Sequence, residues 1–314
     1  MISVILPCFN EENNIQEIYS RLVRVLETTE DGYELIFVDD GSTDNSLVRL
    51  TTLCRIDPRV KVLELSRNFG HQSAICAGLD YARGDAVIMM DSDLQHPPEL
   101  IPALIEKWKQ GFEIVYTIRN DPPGTSLVKK KTSKMFYQLI NLLARTRIPE
   151  NSADFRLMDK KVVQQFLTLK EKTKFFRGLI TWVGFKQYPL HYTASPRYRG
   201  KSKYTLWKMT KFAFDGITSL SSFPLHISTI LGTMVSLFSF VYAVYALYIR
   251  LVTHQALPGW TSVLVAVLFL GGVQLLSLGV MGEYLNRIYS ETKARPTYIL
   301  RNIYRDRDSN SGCP

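Results

Sequence analysis

Short apolar runs alternate with amphipathic segments over the first half of the chain. The apolar runs have the length and composition of buried strands, and they cover residues 2–6, 33–38, 60–65, 86–90 and 114–118. The segments between them carry apolar side chains at helical spacing, at 15–26, 46–55, 72–82 and 98–110. Alternating strands and helices predict an α/β domain with a mainly parallel sheet.

Three of the predicted strands end in polar sequence. The polar ends are Asn10-Glu11-Glu12, Asp39-Asp40, and Asp91-Ser92-Asp93 ahead of Pro97-Pro98. Each alone is typical of a solvated turn. Right-handed crossovers bring all three to one edge of the sheet, where ligands bind in open α/β folds, and this coincidence favours a site. Carboxylate oxygens suit Mg²⁺ or Mn²⁺, metals that proteins often share with substrate phosphates.

Two later stretches, 225–249 and 261–282, contain no Asp, Glu, Lys or Arg. Each is long enough to cross the bilayer's hydrocarbon, which takes about 20 helical residues. A buried core helix is the alternative, but two such stretches in succession favour a membrane hairpin. We predict a cytoplasmic α/β domain at 1–203, an interfacial amphipathic helix at 204–223, transmembrane helices at 224–250 and 261–285, and a cytoplasmic tail at 286–314 with a short strand near 296–300.

Charge supports a membrane-bound protein. The formal net charge is +9, which fits an anionic membrane surface, while nucleic acid is the weaker explanation because the cations are spread over membrane-proximal segments. Cations in the first domain and in the tail place both termini in the cytoplasm by the positive-inside rule. The four cysteines show no metal-ligand or disulfide spacing, as expected of reduced thiols in the cytosol. No cleaved signal peptide is predicted at Met1.

Two basic segments are candidates for binding phosphate. Residues 121–131 follow Arg119 and form a polar, basic loop that would serve equally as a mobile lid or as a disordered surface turn. Arg199-Gly200-Lys201-Ser202-Lys203 combines cations and a hydroxyl around a glycine, a composition suited to wrapping phosphate oxygens.

The motifs resemble those of family 2 glycosyltransferases with the GT-A (Rossmann-like) fold. Pro7-Cys8-Phe9-Asn10-Glu11-Glu12, Val38 to Asp44 and Asp91-Ser92-Asp93 carry this resemblance. The longer stretch 91–99, together with 154–158, 199–204 and 282–285, resembles the polyprenyl-phosphate sugar transferases, which include dolichol-phosphate mannosyltransferase. The two apolar stretches make the chain most similar to the bacterial bactoprenol-phosphate glucosyltransferases of the GtrB type.

The resemblance implies an inverting reaction in which a nucleotide sugar and polyprenyl phosphate give a polyprenyl-phosphate sugar and a nucleoside diphosphate. It implies Asp93 as the principal Mg²⁺ or Mn²⁺ ligand, with Asp91 and Gln95 at the metal or diphosphate. Asp39 matches the position that reads the base. The remaining residues expected at the nucleotide are Pro7, Asn10, Glu11 and Asp40.

The same resemblance assigns Asp154 to the position of the catalytic base. An acceptor phosphate is already anionic near neutral pH, so we expect Asp154 to orient Arg156 or the acceptor as well. Cations should surround the phosphate, and Arg119 and Arg199 are also expected to be catalytic. The full set expected at the acceptor phosphate is Arg119, Lys131, Ser133, Arg156, Arg199 and Lys203.

UDP-glucose is the donor favoured by the resemblance, while GDP-mannose, UDP-N-acetylglucosamine and an aminoarabinose donor stay open. The expected location is the bacterial inner membrane, and a homo-oligomer stays open. A sugar-lipid translocase with a nucleotide-sugar-binding module is a rival of another class, and the intact Asp91, Asp93 and Asp154 argue against it. A processive synthase is disfavoured because the chain lacks Gln-x-x-Arg-Trp and has only two apolar stretches.

Overall fold

The computed structural model describes residues 1–120, 149, 152–169, 171, 176–193, 223–248, 252 and 259–305. These residues belong to two compact units, one formed by Met1–Met209 with Pro296–Pro314 and the other by Thr210–Arg295. The strands are β1 (Ile2–Cys8), β2 (Tyr33–Asp39), β3 (Val60–Leu65), β4 (Ala86–Met89), β5 (Ile114–Asn120), β6 (Ser152–Asp159), β7 (Gln187–Thr193) and β8 (Leu300–Tyr304). The helices are α1 (Ile15–Leu26), α2 (Ser46–Ile56), α3 (His71–Tyr81), α4 (Ile101–Lys109), α5 (Lys160–Thr168), α6 (Phe176–Trp182), α7 (Phe223–Tyr248) and α8 (Trp260–Thr292), with a 3₁₀ turn at Pro98–Leu100.

The first unit is built on one eight-stranded sheet in the order β7-β5-β6-β4-β1-β2-β3-β8. Strands β4, β1, β2 and β3 run parallel at its centre. Antiparallel pairs join β3 to β8, β4 to β6 and β6 to β5. The predicted mainly parallel α/β sheet is therefore confirmed, with mixed pairing towards its edges.

The apolar pattern of the helices explains how the sheet is covered. Helix α1 buries Ile15, Ile18, Leu22 and Leu26, one stripe at helical spacing, against one face of the sheet. Helices α2 and α4 contribute to the same core. Helices α3, α5 and α6 line the opposite face, where Phe166 and Phe176 pack with their ring centroids 4.7 Å apart. The result is a three-layer α/β/α arrangement.

The strand in the tail differs from its prediction. We expected it near 296–300, but β8 begins at Leu300 and pairs antiparallel with β3, with Leu63 opposite Ile303. Proline at 296 has no N–H to give to a ladder, and only the Ile299 carbonyl reaches the sheet, by accepting from the Ser66 N–H at 2.9 Å. Pairing with the outer edge of β3 thus determines which tail residues form a strand.

Among the described residues of the second unit, two helices are long and apolar enough to cross a membrane, at Leu225–Tyr242 and Val265–Thr292. Helix α7 starts at Phe223, which the sequence assigned to the interfacial helix, and α8 runs to Thr292 rather than ending at 285. The charged residues after 282 suggested an earlier end, but they continue the helix, and Glu283 and Arg287 form an i,i+4 pair at 3.5 Å. The remainder of the predicted interfacial helix, 204–222, lies outside the described residues.

Candidate active site

The predicted polar and acidic residues lie at a single edge of the sheet, at the ends of three strands and at the start of a fourth. Strands β1, β2 and β4 are parallel, so Asn10, Asp39 and Asp91 follow or end them on the same side. Strand β6 runs antiparallel to β4, with Arg156 opposite Met89, and therefore brings the start of β6 and Asp154 to that side as well. The predicted clustering at one edge is confirmed for Asn10, Asp39 and Asp91, and the structure adds Asp154 to it.

The first polar strand end, which contains Asn10 and Glu11, forms hydrogen bonds to the loop after β2 and to the first residue of α2. The Asn10 side-chain oxygen accepts from the Thr43 N–H at 2.8 Å, and the Glu11 N–H donates to the Ser46 hydroxyl at 2.9 Å. Asn10 has φ of 55°, a left-handed conformation that asparagine tolerates better than most residues. Pro7 is buried in β1, and its carbonyl accepts from the Ser92 hydroxyl at 2.8 Å. These contacts hold the loops after β1, β2 and β4 against one another.

Asp39 carries a buried acceptor with no partner among the described residues. The residue is 1% exposed, its Oδ2 accepts from the Ser42 N–H at 3.2 Å, and its Oδ1 is buried and unpaired. Burial raises the pKa of the Asp39 carboxyl, and the nearby charge of Glu64 raises it further, against the lowering effect of Ser42. A buried unpaired acceptor is rare in folded proteins and fits a ligand N–H group.

Asp40 holds the loop after β3. Its carboxylate is 3% exposed and accepts from the backbone N–H groups of Phe69 at 2.7 Å and Gly70 at 2.9 Å. Burial raises the pKa of Asp40 and is the largest effect. These hydrogen bonds and the charge of His71 lower the pKa by less, so the net pKa is raised. Both oxygens thus have protein partners.

Asp91 lies between two histidines. Its Oδ1 is 3.3 Å from the His71 Nε2 and its Oδ2 is 3.1 Å from the His96 Nε2. The other ring nitrogen of His96 is 2.9 Å from the Tyr192 hydroxyl on β7, and the His96 ring packs against Phe155. Burial alone would raise the pKa of Asp91, but the His96 hydrogen bond and the charges of both histidines outweigh it and lower the pKa.

Asp93 and Gln95 form a closed loop around a strained residue. The Gln95 N–H donates to the Asp93 Oδ1 at 3.1 Å, and the Gln95 side-chain amide donates to Oδ2. Leu94 between them has φ of 62° and a side chain that is 4% exposed, so its burial secures a conformation that costs L-residues about 1 kcal/mol or more. The Gln95 oxygen accepts from Arg119 at 3.4 Å, which links this loop to the end of β5.

Asp154 and Arg156 form an ion pair on β6. The Arg156 Nη2 is 3.4 Å from the Asp154 Oδ1 and donates to the Ala153 carbonyl at 2.8 Å. The Arg156 side chain is 2% exposed, whereas that of Asp154 is 26% exposed. We expected Arg156 at the acceptor phosphate, and the structure instead gives its guanidinium a buried position behind Asp154.

Four predicted site residues, Lys131, Ser133, Arg199 and Lys203, lie outside the described residues, as does the basic loop 121–131. The sequence reasoning also missed three residues that the structure brings to the site: His71, His96 and Tyr192. His96 stands inside the 91–99 motif, and that position was a usable signal. His71 and Tyr192 carry no local signal, because their contacts depend on the packing of α3 and β7.

The oxygen-rich loop is an incomplete metal site by itself. In the part of the chain that the structure describes, no three His, Cys, Asp or Glu side chains converge as metal ligands. Asp93 fits a divalent cation best, because its carboxylate is partly exposed and, among the described residues, is bonded within its own loop. Asp91 fits less well, since each oxygen already has an imidazole partner. Such a donor set suits a cation that keeps substrate oxygens among its ligands.

Comparison with known proteins matches residues 3–167 to the model of "Glycosyl transferase family 2". An uncharacterized glycosyltransferase of Bacillus subtilis (strain 168), YkcC, is 48% identical over 302 residues, covering 96% of this chain and 94% of its own. The bactoprenol glucosyl transferase of Shigella phage SfV is 42% identical over 301 residues, covering 96% of this chain and 98% of its own.

Among solved structures, glucosyl-3-phosphoglycerate synthase from Mycobacterium tuberculosis, in complex with Mn²⁺, UDP and glucosyl-3-phosphoglycerate, is 20% identical, with a TM-score of 0.45. The match covers 70% of this chain and 78% of that chain. The family match spans the strands and loops that form the acidic edge, and the relatives extend over both units. The chain belongs to glycosyl transferase family 2.

Proposed function

We propose that this protein transfers glucose from UDP-glucose to polyprenyl phosphate, releasing UDP and forming a β-linked polyprenyl-phosphate glucose. The observation that carries the proposal is the 42% identity with a bactoprenol glucosyl transferase along almost the whole of both chains. The likeness includes the helical unit, which a soluble sugar transferase does not need.

The two apolar helices support a lipid acceptor. A polyprenyl chain stays in the bilayer, so an enzyme that uses it gains by being held at the same surface. We place the protein in the bacterial inner membrane as a two-span protein, with the catalytic unit and both termini in the cytoplasm. The basis for this orientation is the excess of Lys and Arg outside the short connection between the spans.

The donor's nucleoside is assigned to Asp39. Its buried Oδ1 would accept an N–H from the base, and this contact would satisfy an acceptor that otherwise stays unpaired. Pro7, Asn10, Glu11 and Asp40 act by fixing the loops around the base. Their hydrogen bonds to the neighbouring loops and to the Asp91-Ser92-Asp93 segment support this role.

Asp93, with Gln95 and Asp91 beside it, would hold Mg²⁺ or Mn²⁺. When bound, the cation neutralises charge that develops on the leaving diphosphate. The protein's own part is to keep Asp93 in place: Gln95 donates to both of its oxygens, and Arg119 in turn contacts Gln95. Chelation of divalent ions should therefore stop turnover, and either ion should restore it.

The acceptor phosphate is assigned to the side of the edge formed by β5 and β6. Arg119 would hold the phosphate, together with Lys131, Ser133, Arg199 and Lys203. Asp154 would orient the acceptor, and Arg156 would support Asp154 from the buried side. An anionic phosphate oxygen is already a nucleophile, so positioning contributes more here than proton removal.

The test uses the purified full chain in detergent with Mg²⁺ or Mn²⁺, undecaprenyl phosphate and a panel of UDP- and GDP-sugars. We expect UDP release and a glucosylated lipid with UDP-glucose, and neither product without the lipid phosphate. The Asp93→Ala variant, assayed in parallel, controls for a contaminating enzyme. Turnover with another sugar would retain the reaction and correct the donor, and failure with every donor would overturn the proposal.

A further inference from the structure

His71, the first residue of α3, projects at the acidic edge with a side chain that is 42% exposed. Its Nε2 lies 3.3 Å from the Asp91 Oδ1, a contact that restrains the orientation of the ring. A half-exposed histidine on a helix surface normally samples several rotamers. Here one carboxylate at the end of β4 selects the orientation.

The backbone that leads into His71 is fixed by a second carboxylate. Asp40, at the end of β2, accepts from the N–H groups of Phe69 and Gly70, the two residues before His71. Asp40 is 3% exposed, and burying a carboxylate costs free energy that its hydrogen bonds must offset. One acidic side chain thus fixes the backbone that leads into His71, and another, from a different strand, contacts its accessible imidazole.

This arrangement has the form of a preorganised binding group. A surface histidine contributes little to stability, so the Asp91 contact with its ring and the Asp40 contacts with the backbone before it point to a role towards a ligand. We propose that His71 contacts the diphosphate of the nucleotide-sugar donor, an inference that rests on the proposed function. Asp91 and Asp40 then act through His71, as positioning residues.

The position of His71 between two assigned regions identifies the diphosphate as its ligand. On one side lies Asp40, next to Asp39, whose unpaired Oδ1 is assigned to the base. On the other side lies Asp91, two residues before Asp93, which is assigned to the cation. In a nucleotide sugar, the diphosphate follows the nucleoside and carries the oxygens that the cation binds, so a residue between the base site and the cation site faces the diphosphate. Because the His71 Nε2 is directed at Asp91, Nδ1 is the ring nitrogen that would donate to these anionic oxygens, with both ring nitrogens protonated.

The experiment compares the full-length wild type with His71→Ala, His71→Lys and His71→Gln. The exposed His191 on β7 provides the matched control, His191→Gln. Steady-state kinetics at saturating undecaprenyl phosphate give kcat and the KM for UDP-glucose. Calorimetric binding of UDP and of uridine, in the presence of Mg²⁺, isolates the contribution of the diphosphate without requiring turnover.

For His71→Ala we expect the KM for UDP-glucose and the Kd for UDP to rise about tenfold, as for the loss of one charge-assisted hydrogen bond. Uridine binding should not change, and kcat should also fall, because a donor to the leaving diphosphate stabilises the charge that develops on it in the transition state. Lysine at 71 should recover most of the affinity for UDP, whereas glutamine should recover less.

An unchanged Kd for UDP in His71→Ala would overturn the proposal. So would an equal weakening of UDP and uridine binding, because that result indicates a collapsed pocket rather than a lost diphosphate contact. If the wild type binds UDP but turns over no donor, the proposed reaction fails while the assignment of His71 is still decided by the UDP and uridine comparison.

Discussion

The Asp93 carboxylate accepts hydrogen bonds from Gln95 at both oxygens, from the backbone N–H and from the side-chain amide. Because Asp93 is partly exposed and these bonds are local, Asp93→Ala should leave the fold intact. Loss of the proposed principal cation ligand should lower kcat by about 10²-fold or more. Turnover and circular dichroism, with Glu106→Ala on the surface of α4 as a control, check both expectations. Activity within about tenfold of wild type would remove Asp93 from its assigned role.

Asp154→Asn separates positioning from proton abstraction. The amide keeps the size of the side chain and one oxygen, but it loses the charge that pairs with the buried Arg156. If Asp154 positions the acceptor, kcat should fall by roughly tenfold and the KM for polyprenyl phosphate should rise. A fall of about 10⁴-fold in kcat with an unchanged KM would instead support an obligatory base.

Glu64 on β3 receives three donors from the tail strand. Tyr304 donates at 2.8 Å, Asn302 at 2.7 Å and Arg301 at 3.4 Å. Tyr304→Phe should lower the free energy of unfolding by about 1 kcal/mol, because it removes one hydrogen bond to a buried carboxylate. A double-mutant cycle with Glu64→Gln, followed by urea unfolding in detergent, should give a coupling energy above about 0.5 kcal/mol. Strict additivity would show that the contact contributes nothing.

Glu34 should make stability sensitive to acid. Burial would raise its pKa, but the hydrogen bonds from the Ser3 hydroxyl, the Arg83 N–H and Lys61 outweigh burial, and the net pKa is lowered. The ionised carboxylate therefore stabilises the fold above the pKa of the unfolded chain, about 4.3, and this contribution is lost as the pH falls through the folded-state pKa.

Glu34→Gln should accordingly destabilise the protein at pH 7, by about 1 to 3 kcal/mol. The difference from wild type should shrink below about pH 4. Urea unfolding at pH 7 and below about pH 4 measures this difference in stability, with the exposed Glu30→Gln as the control. A difference that does not depend on pH would contradict the assignment.

Gly41 allows the loops after β2 and β3 to touch. It has φ of 69°, and a Cβ placed there would lie 2.6 Å from the Arg67 carbonyl carbon, which is backbone and has little room to move. Gly41→Ala should therefore displace the loop that Asp40 holds and weaken UDP binding by about tenfold or more. Gly111→Ala is the matched control, because φ there is 92° but the added Cβ meets no atom within 4 Å. If both variants weakened UDP binding equally, the weakening would come from backbone strain alone.

The sequence predicted the elements whose signal is local. Strands β1 and β2 are short, mostly apolar runs, and α1 shows its apolar stripe directly, so all three could be placed without a structure. The edge location of Asp39 and Asp91 followed from topology. What could not be predicted is which partner each carboxylate takes: the Asp91 contacts with His71 and His96 depend on how α3 packs and how the loop after β4 folds back.

The second limit on prediction from the sequence is the distance along the chain between residues that contact each other. Glu64 and Tyr304 are 240 residues apart, and nothing in the tail alone identifies β3 as its partner. The tail strand was therefore placed a few residues too early. Arg156 was expected near a phosphate because arginine commonly binds phosphate. Its position opposite Met89 in the pairing of β4 with β6 instead leaves its side chain buried.

Strand β8 makes the catalytic unit discontinuous, since residues 296–314 rejoin it only after the helical segment. During synthesis, the ribosome must finish both apolar helices before the last strand of the sheet exists. Until then the outer edge of β3 presents unpaired N–H and C=O groups, which invite pairing with another chain. Nascent protein should thus be most prone to aggregation while its two apolar helices are being made, and a chain cut before residue 296 should keep that vulnerability permanently.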